Sequence, residues 1–364
     1  SSSAASDVYK RQTHGSPLFA AHVPGQDALH VARIKAAGAV ILGKTNTPEW
    51  GAGSQTFNPL FGATATPYDL SRTSGGSSGG AAAALAARML PVADGSDLGG
   101  SLRNPAAFCN IVGFRPSTGR VPAPERVSGW NGMSVLGPMG RTVEDVARLL
   151  SVMAGADAGD PLSRPEDPAV FAGNLQEDQS GSRVAFSEDL GFLPVAEAVR
   201  SVFRTARPHF ESLGCSVDQA APDLKDAPEV FQTLRAHTFA GSFATIYESS
   251  QRDKLKDTVQ WNIEKGLKQS GMEVARAEIA HTSIYRRVLT FFENWDFLVL
   301  PSTQVLPFPK EQDWVREIEG VRFENYLQWM EICSAITVTG CPSISIPCGF
   351  SPEGLPVGLQ IVGP

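Results

Sequence analysis

The chain has 364 residues, 42% of them hydrophobic and 19% charged, and carries a net charge of -7 at pH 7. That is enough apolar material for one large or two modest packed domains, and an acidic balance with no basic block argues against a nucleic-acid binder. No apolar run reaches the roughly 18 residues that a membrane-spanning helix requires.

The first twelve residues read as foreign to the rest. Ser1–Ser6 is low in complexity, and Asp7-Val-Tyr-Lys-Arg-Gln12 resembles the in-frame translation of a transposase adapter. Native sequence is expected from Thr13, as a single domain over 13–364. Gln26–Ala37 has the apolar spacing of an amphipathic helix, stopped by Gly38, and Ala39–Leu42 reads as a short buried strand ending at Gly43. Helix followed by strand signals an α/β architecture. Gly79–Met89 is alanine-rich and reads as a closely packed helix. Pro91–Ala93 reads as a brief strand leading into a Gly/Ser loop. Val143–Ala154 is a helix capped by Thr142 and ended by Gly155. Residues 156–182 are a polar, Pro/Gly-rich connection. Beyond them a strand is expected at Arg183–Phe186 and helices at Val195–Leu213, Ala227–Ser249 and Ala275–Asn294. Further strands are expected at Phe297–Leu300, Thr337–Pro347 and Leu355–Val362, the last two separated by a turn at Ser351–Gly354. Both ends therefore supply strands to one sheet, with residues 185–300 as a helical cover.

Five cysteines, Cys109, Cys215, Cys333, Cys341 and Cys348, are widely spread, form no C-x-x-C pair and have no histidines clustered around them. They read as reduced, mostly buried cysteines of a cytoplasmic protein, and no metal site or cofactor is called for.

The chemistry concentrates in two serines. Ser77 stands in Gly75-Gly-Ser-Ser-Gly-Gly80 and Ser101 in Asp94-Gly-Ser-Asp-Leu-Gly-Gly-Ser101, with an alanine-rich segment between them. A serine hydroxyl becomes a nucleophile only with a base to take its proton and donors to hold the oxyanion, and glycine loops leave backbone N–H groups unshielded. The first stretch fits G-x-S-x-G, but a nucleophile elbow follows a hydrophobic strand, and Tyr68–Ser74 is polar and turn-like. A phosphate loop lacks its Lys-Ser/Thr. The scattered histidines, His14, His22, His30, His209, His237 and His281, show no triad pattern. Trp130, Phe231, Phe239, Tyr247, Trp261 and Trp329 are candidates for an acyl pocket.

These residues resemble the amidase signature family. The resemblance runs through Ala37–Asn46, Gly75–Gly80, Gly95–Ser101, Arg103–Cys109, Val112–Pro116, Gly119–Pro122, Gly137–Thr142 and Gly354–Gly363. It implies a mixed, twisted β-sheet covered by helices on both sides, and hydrolysis of an amide through a Ser–cis-Ser–Lys triad. Ser101 matches the nucleophile, and Ser77 matches the bridging serine on a cis peptide that relays the proton. Leu98, Gly99, Gly100 and Ser101 match the oxyanion-hole backbone, and Ser78, Asp97 and Arg103 match supporting residues. The implied partner is a small amide, with a homodimer left open and no nucleic acid or membrane. Two rival readings are the glutamine-hydrolysing component of a transamidase and a non-catalytic remnant of the fold.

The third triad member is where the chain departs from the family. The family lysine sits in a Lys-Asp motif upstream of the segment resembling Thr13–Ala20, and no Lys-Asp pair stands at that place in this sequence. Lys10 lies in the adapter-like stretch, and Lys44, in Gly43-Lys-Thr-Asn46, matches a different family position. The chain thus reads as a member shortened at both ends, with little or no amidase activity expected of it.

Overall fold

The computed structural model describes Val8 and residues 10–364; the rest of the adapter-like stretch lies outside the described residues. The organising element is an eight-stranded mixed sheet. Numbered in chain order its strands are β1 (Val92–Asp97), β2 (Val112–Arg115), β3 (Val135–Gly140), β4 (Arg183–Phe186), β5 (Ser216–Gln219), β6 (Phe297–Pro301), β7 (Ser343–Phe350) and β8 (Pro356–Val362). Their spatial order is β1-β3-β2-β7-β8-β6-β4-β5. Neighbours are antiparallel from β1 to β6, and the last two pairings, β6 with β4 and β4 with β5, are parallel. The two ends of the chain meet at the centre, where Ile344 of β7 pairs with both Phe114 of β2 and Ile361 of β8.

The helices are α1 (Leu29–Ala36), α2 (Gly79–Ala86), α3 (Arg103–Phe108), α4 (Val143–Met153), α5 (Glu197–Arg204), α6 (Arg207–Ser212), α7 (Ala227–Tyr247), α8 (Asp257–Leu267), α9 (Gly271–Phe292) and α10 (Glu331–Thr339). They cover both faces, because strand side chains alternate. Leu136 of β3 packs with Leu149, Leu150 and Met153 of α4, while Met139 turns the other way, toward Ala82 and Leu85 of α2. Leu298 and Leu300 of β6 join a core with Phe108 of α3, Phe231 of α7 and Ile336 of α10. Val299 between them joins Phe186 and Phe203 on the opposite face. This is the expected α/β class.

Several elements depart from the sequence expectation. Ala39–Leu42 is no strand: it pairs with no ladder partner among the described residues, and Val40 and Leu42 are 81% and 70% exposed. The strand expected to end at Ala93 runs on to Asp97, so Gly95 and Ser96 are sheet rather than loop. Val195–Leu213 divides into α5 and α6, the second opening with Pro208 in its first turn. Thr337–Thr339, expected as strand, closes α10, which Gly340 ends in the left-handed region. Residues 185–300 are not purely a cover, since β5, half of β4 and all of β6 but Pro301 lie within them. The helix expected from Ala275 starts at Gly271, where Ser270 and Glu273 form a capping box. The five cysteines are free, and no helix among the described residues is long and apolar enough to cross a membrane.

Candidate active site

Ser77 is placed by backbone contacts that only small residues permit. The Gly76–Ser77 peptide is cis. Thr56 Oγ1 donates to Ser77 O at 3.4 Å and accepts from the Gly79 N–H at 3.2 Å. A Cβ on Gly79 would lie 2.3 Å from Thr56 Oγ1, so this close approach demands glycine. The next residue, Ser78, joins the two serine segments: its N–H donates to Ser101 O at 3.3 Å, and its Oγ accepts from Ser96 N–H at 3.4 Å.

Ser101 follows β1 on a loop fastened by one carboxylate. Asp97 is fully buried, and its oxygens accept from the N–H groups of Gly100 (2.8 Å) and Leu102 (3.1 Å). Arg103 donates to both oxygens at 3.0 Å, and Arg115 donates to Asp97 O at 2.6 Å. Arg103 reaches on to Gln360 Oε1 of β8 at 2.9 Å and Thr337 Oγ1 of α10 at 3.0 Å. Burial alone would raise the Asp97 carboxyl, but the two guanidiniums and the Gly100 N–H hold it down at about 2. Burial also pushes Arg115 down to about 10, against the pull of Asp97. Both arginines thus have the buried counter-charge they need. Gly100 has φ +117°, and a Cβ there would lie 2.6 Å from Cys333 Cβ of α10.

This fastening decides which N–H groups are available. The resemblance has Leu98, Gly99, Gly100 and Ser101 all facing an oxyanion, but the Gly100 N–H is donated to Asp97. The N–H groups of Leu98, Gly99 and Ser101 have no hydrogen-bond partner among the described residues.

Ser77 and Ser101 open onto one cleft of about 430 Å3. Ser96 and Leu98 form part of its floor, and Gly51 stands beside Ser77, 3.7 Å from Ser77 Oγ to the position a Cβ would take. One wall is aromatic. His14 stacks on Trp50 with centroids 4.7 Å apart, Trp50 meets Phe243 at 4.9 Å, and Phe243 meets Phe239 at 5.6 Å. Glu125, Arg126, Val127 and Ser128 also line the cleft. No lysine lines this cleft among the described residues; Lys10 and Lys44 line another, of about 610 Å3. No cluster of His, Cys, Asp and Glu among the described residues could hold a metal ion.

A sequence profile described as Amidase matches residues 9–364. The chain belongs to the amidase signature family. It is 35% identical over 351 residues to an acylamidase of Rhodococcus erythropolis, covering 96% of this chain and 73% of that one. It is 32% identical to a glutamyl-tRNA(Gln) amidotransferase component of a Sulfurihydrogenibium species, over 97% of this chain and 76% of the relative. Its fold superposes on the crystal structure of a bacterial aryl acylamidase with a TM-score of 0.91 at 26% identity, covering 99% of this chain and 77% of the other.

Of the residues that the sequence of this amidase singled out, Ser77, Leu98 and Ser101 line one cleft, and most of the aromatic candidates do not. Of the six aromatic candidates only Phe239 lines it. Trp130 is 79% exposed and lines a different depression. Phe231 packs beneath Gly99, and Trp329 is buried in the core. Trp261 packs edge-on against Tyr326, and Tyr247 donates to Glu264. Trp50, Phe243, Leu136, His14 and Arg126 line the cleft without a pattern in the sequence to mark them as lining residues. Trp50 sits in Pro48-Glu-Trp-Gly51 at φ 52°, and a tryptophan beside a glycine in a turn is the one signal that could have marked it.

Proposed function

We propose that this amidase cleaves the C–N bond of a linear carboxamide through an acyl ester on Ser101. The observation that carries the reading is the set of unpartnered N–H groups on Leu98, Gly99 and Ser101, beside a serine hydroxyl that shares its cleft with Ser77. Ser101 Oγ attacks the amide carbon, and its proton passes to Ser77. The carbonyl oxygen becomes an oxyanion that the three N–H groups hold, each donor being worth roughly 3–4 kcal/mol in the transition state. As the C–N bond breaks, Ser77 returns a proton to the leaving amine. Water then attacks the acyl ester, releasing the acid and restoring Ser101.

Ser77 needs a base beyond it, which the resemblance assigns to a lysine. With no lysine lining the cleft among the described residues, we propose that the chain itself turns amides over slowly or not at all. The likeness to the glutamyl-tRNA(Gln) amidotransferase component supports a second reading, release of ammonia from glutamine within a larger assembly. It predicts glutaminase activity and co-purifying partner proteins. The deciding measurement is hydrolysis of simple amides by the purified chain, by Ser101→Ala, and by a chain extended upstream with a lysine-bearing segment. We expect activity only in the extended chain and a loss of about 10⁴-fold or more on Ser101→Ala. Turnover that survives Ser101→Ala overturns the acyl-enzyme reading. Turnover by the unextended chain that Ser101→Ala abolishes overturns only the missing base.

A further inference from the structure

Arg126 lines the serine cleft and forms no ion pair among the described residues. Its side chain makes one long bond, Nη1 to Asn131 O at 3.5 Å. Among the described residues no carboxylate comes within ion-pair distance of it. Of the two acids nearby, one is engaged elsewhere. Asp160 is buried and accepts from the N–H groups of Ala123 at 2.8 Å and Leu162 at 2.9 Å. Glu125 also reaches the cleft but is exposed. Burial lowers the basicity of Arg126, with Asp160 and Glu125 opposing that effect at longer range. A partly desolvated guanidinium with spare donors is the group best matched to a planar oxyanion, which it grips through two parallel N–H bonds.

The same cleft has the aromatic wall. Trp50, Phe243 and Phe239 are held in series and back onto a core that includes Ala52, Val259 and Ile263. Leu98 and Leu136 add apolar surface. Such a wall favours a flat, apolar group that can stack or meet a ring edge. At about 430 Å3 the cleft is at the small end of ligand pockets.

We propose that this cleft selects amides that carry both an aromatic group and a carboxylate, the ring lying on the Trp50–Phe243 wall and the carboxylate on Arg126. The proposal rests on the acyl-Ser101 reading for which bond is cleaved, but ligand selection can be measured without turnover.

The test is equilibrium binding by calorimetry to Ser101→Ala protein, using acetanilide and its 3- and 4-carboxylate derivatives. These probes share one amide and one ring and differ only in the carboxylate. We expect at least one acid to bind roughly tenfold more tightly than acetanilide, the size of a charge-assisted hydrogen bond. Arg126→Gln should bring that ratio near one, Arg126→Lys should keep part of it, and Phe243→Ala should weaken acids and acetanilide alike. Thermal midpoints close to the parent show that each variant is folded. Equal affinity of acids and acetanilide, a preference that persists in Arg126→Gln, or no binding of any probe overturns the proposal. Failure of the acyl-enzyme reading appears elsewhere, as amide turnover that survives Ser101→Ala.

Discussion

From Asp94 to Asn104 the floor of the cleft is buried apart from Ser96 and Leu98, the two half-buried residues that face the cavity. The rim from Pro124 to Trp130 is mostly exposed, with Val127 at 86% and Trp130 at 79%. The floor's backbone is tied by Asp97 to two arginines and through Arg103 to β8 and α10. The rim is held by scattered turn bonds, such as Arg126 N–H to Ala123 O at 3.1 Å and Asn131 N–H to Ser128 O at 3.2 Å. On the proposed acyl-enzyme reading, oxyanion donors must be in place before charge develops, which suits backbone held as the floor is. Residues that sort substrates tolerate local opening, and a segment with few buried contacts opens at low cost.

The largest effect should come from breaking the floor at Asp97. Asp97→Asn leaves Arg103 and Arg115 fully buried without a counter-charge, at a cost of about 3–5 kcal/mol in stability. Denaturant unfolding of the purified protein reads this directly. The same carboxylate makes the floor acid-sensitive. Its folded value of about 2 lies below the ordinary 3.8, so its contribution is complete above pH 4 and is lost as pH falls toward 2. Asp97→Asn should remove that slope. A loss under 1 kcal/mol would mean that the floor is no better held than the rim.

That contrast also explains how much was legible beforehand. Gly100, Asp97, Arg103 and Ser101 are close in sequence and there for local backbone reasons, so their types and spacing mark the candidate site in the sequence. The wall is assembled from Trp50 and Phe243, far apart in the chain, and no local pattern joins them. Some elements were hidden by burial. β3 is buried along its whole length and reads Val-Leu-Gly-Pro-Met-Gly, with turn residues inside a strand. α10 is buried from Ile332 to Thr339, so it shows no polar stripe, and its Ile-Thr-Val-Thr end has the β-branched look of a strand. Ala39–Leu42 carries strand-like residues with no neighbour to pair among the described residues, so its pattern alone could not decide.

The next largest effect should come from Gly100, where floor meets α10. Gly100→Ala places a Cβ 2.6 Å from Cys333 Cβ at φ +117°, a conformation that alanine rarely adopts. Neither atom is the end of a flexible chain, so the loop must move. We expect a loss of about 2–4 kcal/mol. Binding of an oxyanion-mimicking boronic acid should weaken at the same time, because Gly99 and Ser101 shift with their neighbour. Retained stability with weakened binding would show that the loop can move as a unit, and the floor would then be less fixed than Asp97 implies.

A smaller effect sharpens the comparison by asking what an acid does in the layer behind the floor without a cation. Glu331 opens α10, two residues before Cys333, and its carboxylate has no hydrogen-bond or ion-pair partner among the described residues. A helix N-terminus favours a negative charge, but burial dominates and pushes this carboxyl up to about 7 from 4.5. The sign is therefore opposite to that of Asp97. Its stabilising contribution is full below pH 4.5 and is lost as pH rises through 7, because the buried group must then ionise. Glu331→Gln should match the parent near pH 4 and exceed it by about 1–2 kcal/mol at pH 8, a range reduced for the part of the side chain that water still screens. Unfolding curves at the two pH values give the difference. If Glu331→Gln is destabilising at pH 8, the charged form has a partner in solution, and the layer behind the floor is more polar than its packing indicates.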